Sequence, residues 1–194
     1  MRILDAADAN SWEGGSSFAL SSRIYRLLWA CVWMLLASWT PPQAHGWRRL
    51  LLRLFGARLA DSASIYPSAK IWSPANLQME AFACIGPRAT VYSMAPIFLG
   101  RYAIVSQGGH LCAGTHDIED ANFQLKARPI RIEARAWVAA EAFVGPGVTV
   151  GEGAVLGARG CAMRDIEPWT VCAGNPAVKI RDRRIRFPES GRGS

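Results

Sequence analysis

The chain has 194 residues, a size that fits one domain with additions at its ends. Its formal net charge of +7 points to an anionic partner, a phosphate-rich cofactor or an anionic membrane face. Nucleic acid is disfavoured, because the arginines cluster at the two ends without any nucleic-acid-binding signature. Five cysteines, Cys31, Cys84, Cys112, Cys161 and Cys172, are odd in number and lack CxxC spacing, which fits free thiols in a reducing cytosol rather than disulfides or a zinc site.

Residues Met1 to Ser17 are polar and Gly/Ser-bearing, and are expected to form a disordered leader. From Ile24 to Trp39 runs IYRLLWACVWMLLASW, closed by Pro41 and Pro42. This apolar stretch of 16 residues is shorter than the roughly 20 that a membrane span needs, and no clean signal cleavage site flanks it. A second stretch, Trp47 to Leu59 (WRRLLLRLFGARL), carries three arginines before Gly56 on a Leu-rich helical pattern. Together they predict an amphipathic helical hairpin over residues 18–60. Trp29, Trp33, Trp39 and Trp47 suit a headgroup-level belt, and Arg23, Arg26, Arg48, Arg49 and Arg53 suit anionic lipid. The alternative stays open that the hairpin caps the first coil of the repeat beyond it, or packs in an oligomer.

The repeat is plainest in the C-terminal half. Ile132, Val138, Val144, Val150 and Leu156 recur every six residues, a period that neither a helix nor an alternating strand explains. Four places after each stands a small or β-branched residue: Ala136, Ala142, Val148, Ala154 and Gly160. The same rule pairs Ile65 with Ala69, Ile71 with Ala75, Met79 with Ala83, Ile85 with Ala89, and Val91 with Ala95. It continues as Leu99 with Ala103, Val105 with Gly109, and Leu111 with Thr115. Hexapeptide repetition predicts an all-β solenoid, a parallel β-helix over residues 62–176. Each hexapeptide supplies one short strand and one corner, and three close a triangular coil whose aliphatic residues stack inward. Two-residue slips after Ile71 and Val91 read as corner insertions. The long break between Leu111 and Ile132 reads as a projecting loop, where function is to be sought. A short basic segment and tail, residues 177–194, closes the chain.

The loop begins CAGTHDIEDANFQLKARPIRI. His116, placed directly after the corner Thr115, can act as a general base, because an imidazole titrates near working pH. Asp117 is a candidate to orient the loop or His116, and Phe123 to stack on a ring of the acceptor. Cys112 sits beside a column residue and reads as structural.

The columns, CAGTHD at Cys112 to Asp117, Trp137 opening the next coil and AGNPA at Ala173 to Ala177 resemble the hexapeptide acyltransferases. The pieces RLLW, RLFGA and SQGGHLCAGTHD resemble, more narrowly, the colanic-acid-biosynthesis acetyltransferases, over roughly residues 23–183. The resemblance implies a left-handed β-helix, acetyl-CoA as co-substrate with no metal, a homotrimer, and O-acetylation of a sugar of surface polysaccharide. It implies that His116 takes the proton from a sugar hydroxyl as the oxygen attacks the thioester directly, with an oxyanion held by backbone N–H groups or a nearby polar side chain. Carried over from the maltose and galactoside acetyltransferases, the acetyl-CoA contacts fall on Trp137, Ala140, Ala158, Met163, Arg164 and Arg181. Met163 stands where those relatives have a small polar residue, and Val178 where they often have a basic one. The expected location is the cytoplasm, at the inner face of the cell membrane if the hairpin attaches there, with a lipid-linked or nucleotide-linked acceptor. Two alternatives are carried. One is a catalytically silent scaffold. The other is a metal site like that of the γ-type carbonic anhydrases, using His110 and His116, which the six-residue spacing would stack on one edge; the third histidine, His45, lies outside the repeat.

Overall fold

A computed structural model describes residues 17–185. The leader expected over Met1–Ser17 lies outside them except for Ser17, as do residues 186–194 of the expected tail. Helix α1 (Leu20–Leu36) and helix α2 (His45–Leu54) form the hairpin, turned by the Pro41–Pro42 segment. The second helix stops earlier than its Leu-rich pattern suggests. Gly56 adopts φ +91°, a conformation side chains rarely take, and the chain leaves it to start the first strand at Arg58.

The first coil consists of β1 (Arg58–Leu59), β2 (Ser64–Ile65) and β3 (Lys70–Ile71). The second holds β4 (Leu77–Met79), β5 (Cys84–Ile85) and β6 (Thr90–Tyr92), and the third β7 (Ile97–Leu99), β8 (Ile104–Val105) and β9 (His110–Cys112). Next comes a hairpin, β10 (Gly114–His116) and β11 (Leu125–Ala127), antiparallel and outside the coils. The fourth coil is β12 (Ile130–Ile132), β13 (Trp137–Val138) and β14 (Phe143–Val144), and the fifth β15 (Thr149–Val150), β16 (Val155–Leu156) and β17 (Cys161–Ala162). Finally β18 (Thr170–Ala173) extends the second face, and β19 (Val178–Asp182) folds back antiparallel upon it.

Strands stack in parallel into three faces. Face A is β1-β4-β7-β12-β15, face B is β2-β5-β8-β13-β16-β18-β19 and face C is β3-β6-β9-β14-β17. The aliphatic columns run up the inside, and Ile65, Ile85, Val105, Val138 and Leu156 of face B are fully buried. The small residues that come after them, including Ala69, Ala89, Ala142 and Ala154, fill the corners.

Two expected corner residues are not corners. Ala75 is exposed, because the insertion after Ile71 winds into a 3-10 turn (Pro74–Asn76) and Leu77 takes the interior place. Leu77, Ile97 and Ile130 then stack on one another, so this edge of face A is filled by branched side chains rather than by alanine. Thr115 is likewise exposed, at the middle of β10, and Ala113 is the buried corner residue.

The hairpin caps the open end of the first coil. Trp29 Nε1 donates to Ile71 O at 2.7 Å, and Arg49 Nη1 to Ala63 O at 2.8 Å. Arg48 is 0% exposed. Its guanidinium donates to Ile65 O at 2.6 Å, Thr40 Oγ1 at 2.7 Å, Pro41 O at 2.9 Å and to Pro42 O. Arg53 pairs with Asp61 at 2.7 Å, and Arg26 lies over the rings of Phe18 and Trp72. For Arg48 the expectation of facing lipid is therefore corrected, since it is sealed in the cap. Arg48, Arg49 and Arg53 bond Ile65 O, Ala63 O and Leu59 O, because carbonyls at the end of a solenoid have no next coil to bond.

Coil stacking across the hairpin insertion depends on Gly100. A Cβ there would lie 2.6 Å from Ala134 N and 2.9 Å from Glu133 C, both backbone atoms of the fourth coil. Gly100→Ala is expected to cost about 1–3 kcal/mol by forcing the third and fourth coils apart. A urea midpoint equal to that of the unaltered protein would show that the coils yield freely.

Candidate active site

His116 ends β10, well outside the coils and supported by the return strand. Its Nδ1 lies 2.8 Å from Phe123 O, and its ring stacks on the Phe123 ring with centroids 4.2 Å apart and planes 10° from parallel. A carbonyl oxygen can only accept, so Nδ1 carries a hydrogen, and in the neutral ring Nε2 keeps its lone pair. Phe123 achieves this with φ +51°, a left-handed turn conformation uncommon for an aromatic residue. Phe123, expected to stack on a ring of the acceptor, has one face of its ring against His116.

Asp117 bonds Lys126 and Glu119. One carboxylate oxygen receives the Lys126 ammonium from the facing strand, and the other accepts the Glu119 N–H at 3.2 Å. The Lys126 hydrogen bond, seconded by the Glu119 N–H, holds the carboxyl below the usual carboxylate range. Asp117 thereby ties the two hairpin strands and shapes the turn between them. Cys112 donates its thiol to Gly114 O at 3.3 Å at the base of the same strand.

The six residues expected to meet acetyl-CoA fall into three groups. Trp137 and Arg181 share face B, in the row Trp137, Val155, Val171, Arg181 across β13, β16, β18 and β19. The indole N–H of Trp137 donates to Ser106 Oγ at 2.8 Å, which holds an exposed ring against the sheet. Ala140 and Ala158 occupy equivalent positions on the corner between faces B and C, and Ala140 O accepts the Arg159 N–H at 2.9 Å. Met163 and Arg164 are on the corner between faces C and A. They line a cavity of about 590 Å³ together with Lys179, a cation that its place in a charge run conceals in the sequence. Ser106 is equally silent there, since only the coil register shows that it meets Trp137.

The hairpin bearing His116 leaves the same C–A corner, two coils before Met163. Trp137 and Arg181 lie on the face opposite that corner, so one chain does not bring His116 and Trp137 together. His110 is elsewhere again. It lies on β9 with its ring edge-on to Phe143 at 5.3 Å, and burial lowers its pKa. The expected stacking of His110 and His116 on one edge is corrected, because the chain leaves the coil between them. Among the described residues no group of three His, Cys, Asp or Glu side chains is placed to hold a metal ion.

No family model matches the chain. Over 176 residues it is 40% identical to WcaF of Escherichia coli (strain K12), a provisionally named colanic acid biosynthesis acetyltransferase, covering 91% of this chain and 97% of that protein. Two solved structures share the fold. The hexapeptide-repeat acetyltransferase VCA0836 of Vibrio cholerae O1 biovar eltor, complexed with acetyl-CoA, superposes with a TM-score of 0.76 at 18% identity, over 95% of this chain and 97% of that one. A maltose O-acetyltransferase of Clostridium difficile 630 gives 0.74 at 20% identity, over 86% of this chain and 90% of that one. The coils are thus the parallel β-helix expected from the repeat, left-handed as the resemblance implied, and, on the similarity to WcaF, the chain belongs to the colanic acid biosynthesis acetyltransferases.

Proposed function

We propose that this protein moves an acetyl group from acetyl-CoA to a sugar hydroxyl during the assembly of a surface polysaccharide, with His116 as general base and no covalent enzyme intermediate. The observation that carries this reading is the His116–Phe123 hydrogen bond, which leaves Nε2 free to accept a proton at the end of a braced strand. Acetyl-CoA supplies the thioester. Face B supplies an exposed indole at Trp137 and a cation at Arg181, and Arg164 of the C–A corner lines one cavity with Lys179 of β19, a fit to a phosphate-bearing co-substrate. Because His116 and Trp137 lie on different sides of one solenoid, the reading needs a second copy of the chain, which a trimer provides. The test is an acceptor panel of free sugars, nucleotide sugars and lipid-linked sugars, with acetylated products identified by mass spectrometry. Acetylation of one sugar class supports the reading; no product with any acceptor, together with no acetyl-CoA binding by calorimetry, would leave a silent scaffold.

In this reading the enzyme works against the inner face of the cell membrane. Among the described residues no helix is long and apolar enough to cross a membrane. While one side of the helical hairpin caps the coil, the other exposes Leu20, Ile24, Leu27, Leu35, Trp39 and Trp47. Trp39 is 72% exposed, and contact with lipid would shelter this apolar stripe. The protein is expected to float with phospholipid vesicles, and the double variant Leu27→Glu/Leu35→Glu to stay behind while still acetylating a soluble acceptor. Flotation unaffected by the two charges would remove the membrane from the account. Point charges serve better here than deletion of residues 1–60, which would strip the cap from the first coil.

A further inference from the structure

A groove of about 580 Å³ runs between α1 and face C of the first two coils, within the size range of small-molecule sites. Its walls are aromatic and aliphatic: Trp29, Trp33, Trp72 and Tyr92, with Met34 and Ala30 at the side of α1. Among the described residues its charged lining is Arg26 and Lys70, without a carboxylate. Arg26 is held in place by the Phe18 and Trp72 rings, each with its centroid 4.4 Å from the guanidinium carbon. The cap is also held away from the groove, by the hydrogen bonds that run from Arg48 and Arg49 to the first coil.

Two continuities say what occupies it. On one side, Ala30 and Met34 belong both to the groove and to the exposed side of α1 that carries Leu27, Cys31 and Leu35. On the other side the groove leads to the hairpin. The Trp72 ring lies edge-on to Tyr92 at 5.4 Å, Tyr92 pairs in register with Cys112, and Tyr92 O accepts the Ala113 N–H at 3.1 Å. Gly114, the first residue of β10, is packed so closely that a Cβ there would meet the Tyr92 ring and the Met94 sulfur. The apolar groove with its cationic rim thus begins at the apolar helix face and ends at Tyr92, the residue against which the start of the strand carrying His116 is packed.

We propose that this groove seats the hydrocarbon chain of a lipid-phosphate-linked sugar acceptor, with the phosphate at Arg26 and Lys70 and the sugar directed along face C toward His116. The inference rests on the acetyl-transfer reading and narrows its acceptor class to an amphiphile. Arg26 and Lys70 supply charge complementarity for a phosphate, and the aromatic walls supply an apolar surface for a hydrocarbon chain.

The test uses the full chain and farnesyl phosphate as probe, with farnesol and inorganic phosphate as separate arms. Calorimetry is expected to show binding of farnesyl phosphate, at least tenfold weaker binding of farnesol, and none of inorganic phosphate. Two variants on exposed positions probe the groove without removing its packing: Ala30→Phe fills it and Lys70→Glu reverses its rim. Each is expected to weaken farnesyl phosphate tenfold or more, and to raise KM for a lipid-linked acceptor by a similar factor. KM for a short-chain glycoside of the same sugar is expected to be unchanged. Unaltered farnesyl phosphate binding by Ala30→Phe overturns the proposal. So does a loss of vesicle flotation without a loss of probe binding, which would make the groove part of the bilayer-contact face. A change in sedimentation that appears only in these variants would assign it to a contact between copies instead. Should the unaltered protein bind the probe yet acetylate neither acceptor, the transfer reading fails and the groove stands.

Discussion

Replacement of His116 by alanine is expected to lower kcat for acetyl transfer by about 10²–10⁴-fold while leaving acetyl-CoA affinity unchanged, the size of loss that comes with removal of a positioned general base. The expectation follows from where the imidazole is held. Phe123 O fixes one nitrogen as donor, the Phe123 ring covers one face, and the Asp117–Lys126 pair locks the strands that carry both residues. None of these contacts involves the rows that contain Trp137 and Arg181, so truncation of the side chain is not expected to disturb the co-substrate. Steady-state kinetics separate the two effects. A rise in KM for acetyl-CoA with kcat preserved would assign His116 to binding instead.

The second large effect concerns stability. Arg48→Ala is expected to destabilise the protein by about 2–5 kcal/mol, because it empties a fully buried site, strands Pro42 O, and leaves Pro41 O with the Ala44 N–H alone and Ile65 O with His45 Nδ1 alone. Among the described residues, Arg48 is the side chain that bonds both the Pro41–Pro42 turn and the end of face B at Ile65. Arg48→Lys is expected to recover little of the loss, since a single ammonium cannot reproduce a planar fork aimed at acceptors on two sides. Chemical denaturation measures both. A midpoint for Arg48→Ala close to that of the unaltered protein would show that the cap holds through Trp29 and the apolar packing alone.

The six-residue columns are legible in the sequence because every inward position meets its own counterpart one coil away, so the sequence must repeat wherever the burial does. Ala75 misled because insertion of two residues lets Leu77 turn inward, and the spacing rule has no means of showing which residue the extra turn expels. Thr115 misled for a related reason, since the chain had already left the coil at Ala113. Arg48 misled in another way. A basic, leucine-rich helix looks the same in sequence whether its guanidiniums face phosphate or the unpaired carbonyls of a solenoid end, and Arg48 found the carbonyls. At the candidate site, the loop was legible as an interruption of the period and His116 by its place in it. The Phe123 carbonyl that sets its tautomer was not, because that contact depends on the register of a short antiparallel pair.

The central claim is that His116 drives acetyl transfer from acetyl-CoA to a sugar. It is tested most directly by measuring release of free CoA at saturating acetyl-CoA, with and without the acceptor identified from the panel, for the unaltered protein beside His116→Ala. Release is predicted to require the acceptor and to fall by about 10²-fold or more in the variant, with equal calorimetric affinity of the two proteins for acetyl-CoA. Equal acceptor-dependent release from the two proteins would contradict it.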